Sequence, residues 1–319
     1  MSNVTPKTAL AHMDIYRPDT AGAISADPIR LSVNEGALGP SPMAISALRQ
    51  MGERLHRYPE QIDQNLVAAI AAYSGCNPAR ILPSNGSDEL IGLLATAYCN
   101  DGDEAIITQY GFLVFRQAVT VAGGVPVIAA DSDLTVSVDA ILECLSPRTK
   151  LIFLANPNNP TGTMVNQEAL DRFMDRLPDH VVAVLDEAYY EFLDDAPDTV
   201  KYVREGRNVC VLRTFSKAYG LAGMRVGWGL FPAEIAGEIR KVMNPNNISV
   251  AGQAAAAAAL KDQAYMVETC RETASLRDGL RKRLRQAGYD VPESFTNFVL
   301  IRMGSPDKAH RADKALRAE

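Results

Sequence analysis

The chain has 319 residues and a formal net charge of −6, with no basic cluster of the kind a nucleic-acid binder needs. Hydrophobic residues at 47% and charged residues at 22% describe an ordinary globular protein, long enough for a large domain and a smaller one. No apolar signal core occupies Met1–Asp14 and no run of about 18 apolar residues occurs, so no membrane segment is expected and the cytoplasm is the default location.

Residues 1–30 are polar and dotted with proline, and read as an arm or crossing segment. Leu31–Glu35 reads as short and extended, and residues 36–42 as turn-rich. Ser41-Pro42 then opens a helix, with Ser41 as N-cap and Pro42 in the first helical position. Ile45, Leu48 and Leu55 mark its apolar face, and Arg57-Tyr58-Pro59 stops it. Leu66, Ile70 and Tyr73 carry a second helix closed by Gly75. Residues 81–89 read as a loop that runs into an apolar helix over 90–98. There Gly86 permits a tight turn, while Ser87 and Asp88 present free N–H groups at a helix start that suits a phosphate. A plain serine cap is the alternative.

From residue 104 onward strands and helices alternate. Strands are expected at 104–108, 125–129, 151–155, 181–185, 209–212 and 297–302. Helices are expected at 112–121, 138–145, 168–177, 234–243, 253–261 and 263–287, with another starting at 308. Leu276, Leu280 and Leu284 suggest that the long helix turns an apolar stripe inward and a basic face, Arg277 to Arg285, to solvent. The continuous apolar strands predict an α/β fold, a mainly parallel sheet covered by helices on both faces. Five scattered cysteines and four distant histidines give neither a disulfide framework nor a local metal motif.

In such a sheet ligands bind at the carboxyl ends of the strands. Those ends carry Tyr110, then Asn156-Pro-Asn-Asn-Pro-Thr-Gly162, then Asp186-Glu-Ala-Tyr189, then Thr214-Phe-Ser-Lys-Ala-Tyr-Gly-Leu-Ala-Gly-Met-Arg225. Lys217, placed just after a buried strand, sits near apolar walls that lower an amine's pKa. Thr214, Ser216 and Arg225 flank it with phosphate-binding groups. An amine beside a phosphate site suggests pyridoxal phosphate held as a Schiff base. Asp186 would keep the ring nitrogen protonated, Tyr189 and Asn159 would hydrogen-bond the ring oxygen, and Tyr110 would stack on the ring. Each residue has a plainer reading on its own: a turn, a helix cap, a core tyrosine, a solvated lysine. Their convergence on one sheet edge favours the cofactor.

These three stretches, in this order, resemble the fold-type I, class I/II pyridoxal-phosphate aminotransferases. Leu31–Glu35, Gly39–Pro42, Arg57–Pro59 and Asn85–Glu89 are similar to the histidinol-phosphate aminotransferase group. The resemblance implies that Lys217 is the Schiff-base lysine and later the proton carrier, that Asp186 pairs with the pyridine nitrogen, and that Tyr189 and Asn159 hold the ring oxygen. It also implies that Gly86, Ser87, Asp88, Thr214, Ser216 and Arg225 form the phosphate site. Tyr58 would reach the cofactor phosphate of the other subunit, so a homodimer with shared sites is expected. The partners expected besides are a small amino donor and a 2-oxo acid acceptor, such as 2-oxoglutarate, in a ping-pong exchange. The division implied is an N-terminal segment over 1–40, a large cofactor-binding domain over 41–250 and a smaller α+β domain over 251–319 that is incomplete at its end. Residues 34–37 depart from the family's Asn-Glu-Asn-Pro, reading Asn-Glu-Gly-Ala, near where the family places substrate. Readings left open are an aromatic amino-acid aminotransferase, a decarboxylase or lyase on the same scaffold, and a truncated inactive paralogue serving as a binding module.

Overall fold

A computed structural model describes residues 4–5, 7–13, 29, 31–60 and 63–317 of the chain; the expected N-terminal arm lies largely outside them. Seven strands form one sheet among the described residues: β1 (Ile81–Ser84), β2 (Glu104–Thr108), β3 (Val125–Ala129), β4 (Thr149–Ala155), β5 (Val182–Asp186), β6 (Val209–Thr214) and β7 (Gly227–Leu230). Their order is β1-β7-β6-β5-β4-β2-β3. The five strands β2 to β6 pair in parallel, and β7 runs antiparallel to both β6 and β1.

The helices are α1 (Pro42–Gln50), α2 (Gln64–Ser74), α3 (Ser87–Tyr98), α4 (Leu113–Ala122), α5 (Val138–Glu143) and α6 (Gln167–Arg176). After them come α7 (Val200–Arg204), α8 (Ala233–Val242), α9 (Val250–Lys261), α10 (Gln263–Gln286) and α11 (Pro306–Leu316). Many start where the sequence supplies a side-chain oxygen for an orphan N–H. Ser41, Asp63, Ser137, Asn166, Ser249 and Ser305 each accept from a backbone N–H one turn on. Gly75 and Gly123 end α2 and α4 in the left-handed conformation.

Side chains alternate across the sheet and so divide the core in two. Val182 and Val184 of β5, with Cys210 and Leu212 of β6, join Leu90, Ile91, Phe115 and Phe231 on the face covered by α3, α4 and α8. Ala183, Leu185, Val209 and Val211 join Leu66, Ile70, Phe173 and Trp228 on the other face, under α2, α6, α7 and α9. Nearly all of these are wholly buried, and each large one contributes about 1.5–3 kcal/mol.

Several expectations need correction. Ile81–Ser84 is strand β1, not loop, and Gly227–Leu230 is a strand whose two glycines gave no β signal. Leu31–Glu35 is not extended throughout: it bends at Ser32–Val33, and Asn34 is left-handed (φ 54°). Residues 297–302 make only a single bridge, Arg302 to Asp290. The helix after Ser41 ends at Gln50, and Leu55 is 65% exposed. On α10 the stripe is turned round: Leu276 and Leu280 are exposed, while Arg277 is drawn in to donate to the Thr296 carbonyl at 3.0 Å. Among the described residues no helix is long and apolar enough to cross a membrane.

Candidate active site

The connection from β6 to β7, residues 215–226, carries the lysine. Its neck is closed where Phe215 N donates to the Val226 carbonyl at 3.0 Å, and Leu221 N turns back onto the Phe215 carbonyl at 2.9 Å. Lys217 therefore stands on a pinned hairpin rather than on a free strand end. Its Nζ donates to the carbonyls of Val33 and Asn34, each at 3.1 Å. Burial lowers the amine's pKa from its usual value; the Asp88 charge works against this and Arg225 with it.

Around Lys217 lies a cavity of ≈ 620 Å³. Nine of the twelve predicted site residues line it: Ser87, Asp88, Asn159, Asp186, Tyr189, Thr214, Ser216, Lys217 and Arg225. Asp186, last in β5, is 5% exposed, and Ala188 N donates to its Oδ1 at 3.2 Å. Burial, helped by the Asp88 charge, pushes this carboxyl up to about 7. The Tyr189 hydroxyl accepts from the side-chain amides of Asn34 at 3.3 Å and Asn159 at 3.5 Å, and its ring edge meets Phe298. The phenol is raised above its usual value, chiefly by burial.

The end of the cavity beside Arg225 is built from two loops. Gly86, left-handed at φ 80°, caps α3 and presents the Ser87 and Asp88 N–H groups. Opposite, Ser216 Oγ accepts from Thr214 Oγ1 at 3.0 Å and from Arg225 Nη1 at 3.3 Å. Arg225 is itself left-handed (φ 52°), a strained state for an arginine and one typical of functional sites. It pairs with Asp88 at 3.4 Å.

The loop after β4 is stapled internally. Asn156 exchanges two hydrogen bonds with Val165, and Asn158 Nδ2 donates to Thr161 and to the Tyr110 carbonyl. Three predicted residues do not line the cavity. Gly86 acts through its turn. Tyr110 is 41% exposed, and the wall beside it is Gly111, Phe112 and Leu113. Tyr58 is 87% exposed on this chain.

Sequence reasoning missed the strap formed by residues 32–35. Besides covering Lys217, it is held by Asn297, whose Nδ2 donates to the carbonyls of Asn34 (3.1 Å) and Glu35 (3.3 Å). At Gly36 the strap lies close against the hairpin: a Cβ there would lie 2.7 Å from the Lys217 carbonyl oxygen. Only the pairing of positions about 180 residues apart reveals this, and no local pattern carries it. Arg302 is tied to Asp133 at 2.6 Å and lies outside the cavity.

The donor set defines what fits. A buried carboxyl without a cationic hydrogen-bond partner asks for a protonated ring nitrogen. A helix start with an arginine and two hydroxyls asks for a phosphate, and a desolvated amine asks for a carbonyl carbon. Pyridoxal phosphate carries all three groups.

Comparison with known proteins identifies the family. The family described as aminotransferase class I and II matches residues 26–319. A histidinol-phosphate aminotransferase from Dinoroseobacter shibae is 42% identical over 320 residues, covering 100% of this chain and 88% of the relative. The solved histidinol-phosphate aminotransferase of Sinorhizobium meliloti, in complex with pyridoxal-5'-phosphate, superposes with a TM-score of 0.85 at 32% identity, over 90% of this chain and 79% of that one. The Thermus thermophilus aspartate aminotransferase with maleate, at 22% identity and a TM-score of 0.82, shares the fold.

Proposed function

The chain belongs to the class I and II aminotransferase family, and from that premise we propose that its amino donor and acceptor are histidinol phosphate and 2-oxoglutarate, exchanged by a ping-pong mechanism. Its cofactor is pyridoxal phosphate, and its reaction moves an amino group to a 2-oxo acid. The observation that carries the reading is the convergence of Lys217, Asp186 and the Ser216–Arg225 pair on one cavity. The choice of histidinol phosphate is supported by the full-length similarity to relatives of that name.

Bound pyridoxal phosphate supplies an electron sink that weakens the bonds to the substrate's Cα. The protein's part is positioning and proton handling. Ser87 and Asp88 N–H groups, Thr214, Ser216 and Arg225 hold the phosphate. Asp186, ionised once a pyridinium nitrogen faces it, keeps that nitrogen protonated. Tyr189 and Asn159 hydrogen-bond the ring oxygen, and the 110–113 turn, with Tyr110 at its edge, supplies the wall against the ring. The Lys217 amine, once released from the strap carbonyls, would take the proton from substrate Cα and deliver it to the cofactor carbon on the far side of the shared nitrogen. Tyr58 completes the phosphate site of a second copy in a cytoplasmic homodimer.

A donor screen tests this. Purified protein loaded with pyridoxal phosphate is mixed with histidinol phosphate, glutamate or phenylalanine, and loss of the visible band is followed. Histidinol phosphate should react at least tenfold more efficiently than phenylalanine, and Lys217→Ala should lower turnover on the order of 10⁴-fold. A preference for phenylalanine would assign the chain to aromatic substrates instead. Carbon dioxide or thiol released without a keto acid would move it to the lyases.

A further inference from the structure

The residues that alternate with the site residues on β5 and β6 point the other way. Asp186 and Thr214 continue the row of Val184 and Leu212, toward α3. Glu187 and Arg213 continue the row of Leu185 and Val211, into the opposite core. There they form an ion pair with side chains 1% and 3% exposed. Arg213 Nε donates to Glu187 Oε2 at 2.9 Å, and Nη2 lies 2.9 Å from the same oxygen. Thr199 Oγ1 donates to the other carboxylate oxygen. The guanidinium sits 3.4 Å over the Tyr190 ring, with Trp228 and Tyr73 farther out and the buried Glu191 nearby. Neither Glu187 nor Arg213 lines the cavity.

A buried ion pair is a weak stabiliser compared with apolar side chains of the same volume, because both charges lose their hydration. Its contacts, however, form in only one arrangement of the two strand ends. The strand period is two, so any slip or roll of a strand end exchanges the two faces. Glu187 N also donates to the Leu212 carbonyl at 2.8 Å, so the pair clamps the backbones where Asp186 and the Lys217 hairpin leave the sheet.

We propose that Glu187 and Arg213 are positioning residues: their ion pair fixes the roll of the β5 and β6 ends, so that Asp186, Thr214 and the Lys217 hairpin face the cofactor together. The proposal rests on pyridoxal phosphate being bound in this cavity. Arg213 also neutralises Glu187, whose charge otherwise opposes ionisation of Asp186.

The test uses the full chain with and without pyridoxal phosphate, comparing wild type with Arg213→Lys, the double variant Glu187→Gln/Arg213→Met, and Thr199→Val. Thermal unfolding of the cofactor-free protein reports the structural role. Cofactor affinity and the visible circular dichroism of the bound cofactor report its orientation, which a merely structural role would leave unchanged in a variant that folds. The double variant, which removes both charges of the pair, should unfold within a few degrees of wild type. It and Arg213→Lys should still bind the cofactor at least tenfold more weakly, with the visible dichroism at half or less. Binding within twofold of wild type and unchanged dichroism in either folded variant overturns the proposal. Should both fail to fold, Thr199→Val decides, because it keeps both charges. Threefold weaker binding with reduced dichroism supports the proposal, and values equal to wild type overturn it. Wild type that takes up no pyridoxal phosphate rejects the cofactor reading itself, before any variant is compared.

Discussion

At the scale of single residues, the site is a set of groups held away from their ordinary protonation. Asp186 is the sharpest case, since burial pushes it up from 3.8 to about 7. In the cofactor-free protein the folded state therefore keeps a proton that the unfolded chain gives up. The sign follows: stability from this group is present at low pH and is lost as pH rises through about 7. Glu191, also raised to about 7 by burial, adds in the same direction but faces no cofactor, so it cancels when the two forms are compared. A pyridinium nitrogen reverses the preference at Asp186 by favouring the carboxylate. The gain in unfolding temperature on adding pyridoxal phosphate should thus be larger at pH 8 than at pH 5.5. Asp186→Asn should shrink the gain and flatten its pH dependence. Differential scanning calorimetry at the two pH values checks this, and equal profiles for wild type and variant would contradict the assignment.

At the scale of elements, the cavity depends on how closely backbones approach. β7 lies under the start of α3 with no side chain at Gly227, where a Cβ would sit 2.4 Å from Ser87 N and 2.6 Å from Gly86 C. Gly227→Ala must push the helix start off the sheet, because backbone cannot swing aside as a side chain can. The expected cost is about 1–3 kcal/mol of stability, with cofactor affinity lowered at least tenfold. Gly237→Ala on α8 is the control: no atom lies within 4 Å of its Cβ, and a helix interior gains roughly 0.5–1 kcal/mol from the exchange. Denaturant unfolding and cofactor titration of the pair separate crowding at the phosphate end from a general intolerance of alanine. Similar behaviour of the two variants would remove α3's start from the cofactor site.

At the scale of the whole molecule, the proposed dimer makes a prediction that one chain cannot. Tyr58 is 87% exposed here and is assigned to the partner's phosphate site. Mixing Tyr58→Ala chains with Lys217→Ala chains should then restore activity. In each hybrid dimer one site carries both defects and the other neither, so random mixing should recover up to about one quarter of wild-type activity. Sedimentation of the wild type checks the dimer directly. No recovery in hybrids confirmed to form would place Tyr58 in its own subunit's site or in none.

The sequence by itself determined the α/β class, most helix starts and the residues at the strand carboxyl ends. Lys217, Asp186, Tyr189 and Arg225 were legible because their signals are local: an apolar run, then small residues, then one chemically apt side chain. Ser41 and Gly75 were legible for the same reason, since caps act within one turn. Tertiary structure alone decided the antiparallel β1–β7 pairing, the strap over Lys217 and the inward turn of Arg277. It also decided the pairing of Glu187 with Arg213. In the sequence Glu187 stands only as the neighbour of Asp186, and Arg213 as the residue between the expected strand 209–212 and Thr214. These features join positions tens to nearly two hundred residues apart, and a local period says which face a side chain takes without saying what waits across from it. The physical reason is that periodicity measures burial, while partnership between buried polar groups depends on which strands the fold brings side by side.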